Sequence, residues 1–143
     1  MAEFTYNPIQ EVAVSQNVIL NTTIGCNKGY VLHRNESGLV TLRGRVNNPC
    51  SGFARYQVTF NGNIAVPATG TAGAISLALA IDGEPIQTSK AIVTPTAVDA
   101  YFNVTSTAIV TVAAGCCVLC AVENTSDQAI NVQNANMTVT RIA

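Results

Sequence analysis

The chain has 143 residues, a formal net charge of −1 at pH 7 and charged side chains at 10% of its positions, where about 25% is usual for a soluble domain. This length fits one domain with a hydrophobic core, and the near-zero charge implies no bulk attraction to nucleic acid or to an anionic membrane. No run reaches the ~20 apolar residues of a membrane helix, and Met1 opens a polar stretch instead of a secretory signal. We expect a protein that is made and kept in a cytosol, or that leaves it without a cleaved signal.

The first part of the chain shows short strand patterns behind a polar start. Residues 1–8 are weakly patterned and predict a loose arm, and an alternating apolar patch that begins at Val12 indicates a strand after it. Residues 30–32 and 39–42 are apolar runs on either side of a turn sequence at residues 35–38. This order predicts a strand, a turn and a second strand.

Residues 53–66 carry the clearest alternation of the chain. Ala54, Tyr56, Val58 and Phe60 alternate with polar or charged side chains until the run ends at Pro67. A period of two places one set on each face of a strand. The pattern therefore predicts a long strand with one face in the core and one face in water.

Residues 74–81 form a strand pattern that is apolar on both faces. Large side chains such as Leu77 and Leu79 alternate with small ones such as Ala78 and Ala80, and Asp82-Gly83 follows as a strong hairpin signal. A strand with two apolar faces is typical of a parallel sheet covered by helices, but no helical period lies nearby. We expect a partner subunit to cover the second face.

The last third repeats this pattern and then closes the chain. Residues 116–122 are again apolar on both faces, and Met137 and Val139 oppose polar neighbours in the closing stretch of residues 135–142. In total the sequence predicts about nine or ten short strands with turns every eight to twelve residues, which is the spacing of a β-sandwich or barrel. We therefore predict an all-β, antiparallel sandwich.

The five cysteines do not form a metal motif. On a strand Cys117 faces away from Cys116 and Cys120, which lie roughly 13 Å apart, so the three cannot share one tetrahedral zinc ion. We predict that they are small buried apolar side chains, with a redox role or an intermolecular contact as the alternatives. Cys26 and Cys50 lie in loop-like sequence, and the sequence leaves open whether they form a disulfide with each other.

No residue pattern indicates catalysis or a cofactor. His33 is the only histidine, no G-x-S-x-G turn accompanies the nearby serines, and a strand or loop histidine is the favoured interpretation. The acidic residues lie at turns, where they cap backbone groups, and a calcium site between loops is the alternative. We predict no catalytic, metal-binding or cofactor-binding residues and no enzymatic activity.

The cations concentrate in the first part of the chain. The cations between residues 28 and 55 are Lys28, Arg34, Arg43, Arg45 and Arg55. This segment is either a charged edge that prevents strand pairing or a docking surface for an acidic protein partner. Nucleic acid is disfavoured, because few aromatic side chains interleave with these cations.

Four motifs, in this order, resemble a known family: FARYQVTFNGNIAVP, ISLALAIDGEP, GCCVLCAVENTS and NANMTVTRI. Together they cover residues 53–143 and are similar to the trimeric jelly rolls of the tumour necrosis factor and complement-collagen head type. Within that class the chain looks most like small proteins of phages and prophages and like spore-surface heads, although no Gly-x-y stalk supports the spore-surface version.

The resemblance implies a homotrimer whose inner sheets meet at a threefold axis. On this basis we place residues 74–81, 116–122 and 135–142 in one sheet that faces the axis. The predicted interface residues are Ala78, Leu79, Ala80, Val118, Leu119, Cys120, Met137 and Val139.

The function implied by the resemblance is structural. We predict a bacteriophage virion protein, a capsid-decorating or head-fibre trimer at the virion surface, in which residues 51–143 form the jelly-roll core and residues 1–50 attach it to the major capsid protein or a fibre base. The predicted attachment residues are Phe4, Tyr6, Arg43 and Arg45. The alternative is a receptor- or carbohydrate-binding head of a tail fibre or of a bacterial or spore surface fibre, with a host-surface glycan as ligand. A cupin-type enzyme is disfavoured because one histidine cannot supply its metal ligands.

Overall fold

The computed structural model describes residues 1–24, 30–34, 36–44, 52–115 and 117–142. The predictions for Cys26, Lys28, Arg45, Cys50 and Cys116 lie outside these residues. The strands, in chain order, are β1 (Ala2–Tyr6), β2 (Gln10–Val12), β3 (Thr22–Ile24), β4 (Val31–His33), β5 (Val40–Arg43), β6 (Phe53–Ala65), β7 (Ile75–Ile81), β8 (Glu84–Pro85), β9 (Ala91–Val93), β10 (Phe102–Ala113), β11 (Cys117–Asn124) and β12 (Ile130–Arg141).

The strands form two antiparallel sheets that pack face to face. The front sheet has the order β10-β6-β12-β1-β3, with β2 also paired to β12, and the back sheet has the order β4-β5-β11-β7-β8, with β9 also paired to β7. From β5 onward the chain repeatedly crosses between the sheets, as in jelly rolls. The predicted all-β antiparallel sandwich with jelly-roll connections is confirmed.

Helix is confined, within the described residues, to one 3-10 turn at Gln87–Ser89. None of the helical structure in the part of the chain that the structure describes is long and apolar enough to cross a membrane. The turn lies between the two sheets, because Ser106 of β10 donates a hydrogen bond to the carbonyl of Ser89 and the hydroxyl of Ser89 accepts one from the backbone N–H of Leu79, at 3.0 Å. It therefore ties β10 of the front sheet to β7 of the back sheet.

The hydrophobic core fills the space between the sheets. The front sheet contributes large side chains such as Tyr56 and Phe60, and the back sheet contributes Leu77 and Leu79, all of them fully buried. Along β6 buried and more exposed residues alternate from Phe53 to Phe60, as the sequence predicts. Burying one large apolar side chain contributes about 1.5–3 kcal/mol, so this layer supplies the main stabilisation of the fold.

The hairpin after β7 is confirmed. Asp82 and Gly83 have φ values of 51° and 84°, which is the backbone of a tight hairpin turn with two positive φ values, and Ile81 pairs with Glu84 across it. Gly83 accepts this φ without strain because it has no Cβ.

The expectation that a second subunit must cover β7 is wrong. Ala78 and Ala80 point away from the core layer, yet both are fully buried within the single chain. Ala78 is paired with Glu123, and Ala80 lies beside Pro85 on the other edge of the strand. Because a methyl group rises little above a pleated sheet, longer side chains on the neighbouring strands hide it.

The expected loose arm at the N-terminus is also wrong. β1 pairs with both β12 and β3, and Phe4 is fully buried, with its ring centroid 4.7 Å from that of His33. The physical reason is an alternation of Ala2 and Phe4 inward with Glu3 outward, a strand pattern too short to stand out in a polar sequence.

Candidate functional site

The outer surface of the front sheet is lined by neutral amides and hydroxyls, and we call it the amide face. These side chains share one face because the strand registers pair them with one another across β1, β6, β10 and β12. The polar uncharged side chains of the amide face are Thr5, Gln57, Thr59, Asn61, Asn63, Asn103, Thr105, Thr107, Thr111, Gln133, Asn136, Thr138 and Thr140. Exposed Ile109 lies among them on the edge strand β10, opposite Gln57.

Hydrogen bonds order the amide face. The Nδ2 of Asn103 donates to Oδ1 of Asn61, at 2.9 Å, and to Oδ1 of Asn63, at 3.1 Å. The hydroxyls of Thr59 and Thr107 are 3.1 Å apart. Side chains held in this way lose less conformational entropy when another surface packs on them.

Two charged side chains of the amide face, those of Glu3 and Arg55, have partners within the chain. Glu3 accepts a hydrogen bond from Nδ2 of Asn136, and the guanidinium of Arg55 lies 4.9 Å from the ring centroid of Phe53. Few charges then remain to be desolvated if a second surface covers this face, and depletion of charge is typical of the centre of protein interfaces.

One edge of the sandwich carries an exposed isoleucine on each outer surface, and we call it the closing edge. Ile109 pairs with Gln57 and borders the amide face, and Ile92 pairs with Ser76 on the outer side of the back sheet. It is formed by β9 of the back sheet and β10 of the front sheet, which contact each other. Ile92 on β9 and Ile109 on β10 have 62% and 61% of their surface exposed. Large aliphatic side chains this exposed indicate a surface that another protein can cover.

A second apolar surface lies on the outer side of the back sheet, and we call it the leucine groove. Leu32 and Leu119 both pair with Thr41, so they lie on one face, and Leu39 joins them to line a depression of about 600 Å³. The exposed fractions of Leu32, Leu39 and Leu119 are 36%, 41% and 39%. Arg34 completes the rim of this groove.

His33 has a structural role behind the groove. Its Nε2 lies 2.9 Å from the carbonyl oxygen of Ser37, which can only accept, so Nε2 carries the proton. Its Nδ1 accepts from the hydroxyl of Thr23, at 3.3 Å. Both ring nitrogens are therefore occupied, which supports the interpretation of His33 as a strand histidine and not as a general base.

Glu123 is a buried carboxylate on the outer side of the back sheet. It is 9% exposed, and its Oε2 has no hydrogen-bond partner among the described residues. Burial raises the pKa of Glu123, and the charge of nearby Glu84 raises it further. This carboxyl therefore binds its proton more tightly in the folded chain than in the unfolded one.

Replacing Glu123 with glutamine is expected to change how stability depends on pH. In the wild type, the contribution of Glu123 is complete below the ordinary pKa of 4.5 and is lost as the pH rises through the higher folded pKa. We expect Glu123→Gln to be more stable than the wild type by about 1–2 kcal/mol at neutral pH and nearly equal to it near pH 4. Urea unfolding at both pH values measures this difference, with exposed Asp127→Asn as control. A difference that does not vary with pH would contradict the account.

The cysteines divide into two environments. Cys120 is fully buried, and burial raises the pKa of its thiol to about 12, so it is an unreactive apolar side chain. Cys117 is exposed, which corrects the prediction that it is buried. Within the described residues no group of three histidine, cysteine, aspartate or glutamate side chains could hold a metal ion.

The predicted trimer interface is divided between the two sheets. β12, with Met137 and Val139, lies in the front sheet, whereas β7 and β11 lie in the back sheet, so the expectation of a single sheet that contains all three strands is wrong. The predicted interface residues that are fully buried within the single chain, and so offer no surface to a second subunit, are Ala78, Leu79, Ala80, Cys120, Met137 and Val139. Val118 is half-buried and Leu119 is exposed, and their place in an interface stays a prediction.

The predicted attachment residues also have different environments. Phe4 is buried in the core and cannot contact a partner, which corrects that prediction. Tyr6 is half-buried and Arg43 is exposed at the end of β5. Arg45 lies outside the described residues, and the attachment role of Tyr6 and Arg43 stays a prediction.

Comparison with known proteins identifies the fold but no family. The chain is similar to the globular domain of a zebrafish complement 1qA protein, with a TM-score of 0.57, 12% identity and coverage of 96% of this chain and 94% of that chain. No protein-family model matches, and no curated protein matches. The expected jelly roll of the complement-collagen head type is thus confirmed as a fold.

Weaker similarities extend to carbohydrate-binding modules. The CBM22-1 xylan-binding domain of Paenibacillus barcinonensis Xyn10C matches with a TM-score of 0.36 and 10% identity, over 99% of this chain and 87% of that chain. The CBM35 of Cellvibrio japonicus Abf62 matches with a TM-score of 0.34 and 16% identity, over 100% of this chain and 99% of that chain.

Sequence reasoning missed both the amide face and the leucine groove. The alternation of Asn103, Thr105 and Thr107 was present as a signal, but only the pairing of β10 with β6 shows that it continues across neighbouring strands. Leu32 and Leu119 are far apart in sequence, and β5 brings them together.

Proposed function

We propose that the protein is a non-catalytic, homotrimeric head domain that decorates a bacteriophage virion. The observation that carries the proposal is the position of a charge-poor, hydrogen-bonded amide face beside an apolar closing edge. The virion assignment rests on the motif resemblance in the sequence, and the fold shared with a complement 1q globular domain is compatible with a head domain.

The size of the amide face suits a subunit interface. The face is built on β6, β10 and β12, of 12 or 13 residues each, and on β1, of five residues. At about 4.8 Å between strands and about 3.3 Å per residue it spans on the order of 650 Å². Stable interfaces bury about 600–1,000 Å² on each partner. The face is therefore large enough to hold protomers together once its polar groups pair with those of a neighbour.

The two surfaces differ from each other, which favours a ring. In a cyclic trimer each protomer uses one surface toward its neighbour on one side and a different surface toward the other. We propose that the closing edge, with Ile92 and Ile109, packs against the amide face of the next protomer. Burying these side chains supplies the apolar stabilisation that amides and hydroxyls alone lack.

The absence of enzymatic activity is part of the proposal. Both ring nitrogens of His33 are occupied by structural hydrogen bonds, and Cys120 is kept protonated by burial. Histidine and cysteine are among the side chains that most often serve as a general base and as a nucleophile. Their environments favour a binding or structural role.

Attachment is proposed for the exposed part of the N-terminal third. β1 and β3 belong to the front sheet, so the first residues cannot be a detachable arm, and Arg43 is the exposed cation that we assign to contact the capsid or fibre base.

Sedimentation of phage particles tests this attachment. When virions are pelleted from a phage lysate of the encoding organism, we expect the wild-type protein to cosediment with them. Arg43→Glu should remain trimeric but stay in the soluble fraction, whereas Lys90→Glu, an exposed control, should cosediment normally. A wild type that never cosediments would exclude the virion role.

The alternative is a glycan-binding head, and the amide face favours it. Amides and hydroxyls donate and accept hydrogen bonds much as sugar hydroxyls do, and here they are ordered in advance. A glycan array probed with the labelled protein separates the two functions. Binding that is lost in Asn61→Ala and Asn103→Ala, with the mass of the assembly unchanged, would favour the glycan-binding head over a purely structural trimer.

A further inference from the structure

The leucine groove offers an apolar floor that is open to solvent. Leu32, Leu39 and Leu119 are each between 36% and 41% exposed and line one depression of about 600 Å³. Apolar side chains gathered in a concave place mark binding sites, whereas scattered ones are common on any surface.

The groove is held in shape by the chain itself. Leu32 and Leu119 lie on adjoining strands either side of β5, and the N–H of Leu39 donates to the hydroxyl of Ser37, at 3.1 Å. His33 fixes the same turn through the carbonyl of Ser37. Binding to a preformed groove avoids the entropic cost of ordering the groove, so it does not weaken the affinity.

A single cation defines the polar side of the described rim. Arg34 is exposed, and its guanidinium makes no hydrogen bond or ion pair with the residues that the structure describes. By contrast, Asp82 near the other end accepts a hydrogen bond from the N–H of Leu119, at 2.9 Å. Arg34 lines the groove and Asp82 does not, so the charge that a ligand in the groove meets is the guanidinium, which binds carboxylates in a bidentate manner.

We propose that the leucine groove docks a short segment of a partner protein that carries apolar side chains next to an aspartate or glutamate. The apolar side chains pack on the three leucines, and the carboxylate pairs with Arg34. The proposal deepens the proposed function and rests on it, because it names the chemistry of the partner that the N-terminal third contacts. In the trimer proposed above, whose amide faces point inward, the outer side of the back sheet stays accessible. Leu119 then lies in the groove and not in the subunit contact expected from the sequence.

Charge complementarity favours this occupant over others. A nucleic acid would require aromatic side chains on which bases stack. The described lining has three leucines and one aromatic ring, that of His33, which already packs against Phe4. In a twofold contact between two copies of the chain, the two grooves would face each other, and the Arg34 side chains of the two copies would lie close together. Two like charges in an apolar contact are unfavourable.

Panning a displayed library of random peptides of about twelve residues tests the proposal. The wild-type trimer is the bait, and Leu119→Asp is used for counter-selection. We expect enriched peptides that combine leucine, isoleucine or phenylalanine with aspartate or glutamate. A synthetic consensus peptide should lose about tenfold or more in affinity for Arg34→Glu, regain most of it for Arg34→Lys, and bind Lys90→Glu like the wild type.

Several outcomes of the panning experiment would overturn the proposal. Basic or purely polar peptides, no enrichment over the Leu119→Asp bait, or equal binding to Arg34→Glu would each do so. A wild type that forms pairs of trimers which Leu119→Asp dissociates would show that a second copy occupies the groove. If Leu119→Asp fails to fold, Arg34→Glu replaces it for counter-selection. Light scattering of every variant separates this test from the proposed function, because groove variants should keep the mass of the trimer.

Discussion

Replacing Phe4 with alanine is expected to lower the free energy of unfolding by about 3–5 kcal/mol. Phe4 is fully buried on a strand that lies between β12 and β3, so its removal leaves a cavity in the core and weakens the junction of three strands. Urea unfolding followed by circular dichroism, at one protein concentration because assembly adds to stability, measures the effect.

Ile9→Ala provides the matched control for Phe4→Ala. Ile9 is close in sequence but 52% exposed, and we expect its truncation to change stability by less than about 0.5 kcal/mol. If Phe4→Ala were as mild as Ile9→Ala, the first residues would be the loose arm that their polar composition suggests, and the position of β1 in the front sheet would be wrong.

Replacing Asn124 with alanine is expected to cost about 2–4 kcal/mol, although it removes only one small polar group. Asn124 is fully buried. Its Nδ2 donates to the carbonyl of Val12, at 3.0 Å, and to that of Gln128, at 2.9 Å, and its Oδ1 accepts from the N–H of Ser126, at 2.9 Å. Alanine would leave these backbone groups without their partner in a site that water does not reach.

Asn103→Ala is the control for Asn124→Ala. Asn103 also makes two side-chain hydrogen bonds, but at the exposed amide face, where water replaces the lost partner, and we expect a cost below about 1 kcal/mol. Equal losses for the two variants would mean that the Asn124 side chain does not hold the segment before β3 against the turn after β11.

The positions of individual strands could be predicted from the sequence where a local pattern was strong. The alternation around Tyr56 and Phe60 indicates β6, and Asp82-Gly83 indicates the hairpin after β7, because both signals lie within a few residues. β1 was missed since its inward side chains are interrupted by Glu3 and Thr5. Two inward apolar side chains, Ala2 and Phe4, are too few for a period of two to stand out in a polar segment.

Strand pairing could not be predicted, and the site depends on it. Whether β12 joins β7 and β11 or the front sheet is decided by contacts between residues far apart in sequence, such as that of Met137 with Phe60. The interpretation of β7 as needing a second subunit failed for a related reason. Ala78 is hidden by its cross-strand neighbour Glu123, and composition alone does not show which residue that neighbour will be.

The most direct test of the account is the mass of the native protein in solution, measured by light scattering on the wild type and on Ile109→Asp. Ile109 is 61% exposed in the single chain, so the substitution should leave each protomer folded but place a charge in the proposed contact. We predict three times the chain mass of 14.9 kDa for the wild type and one chain mass for Ile109→Asp, with Ile9→Asp trimeric. A wild type that has the mass of a single chain at micromolar concentration would contradict the central claim.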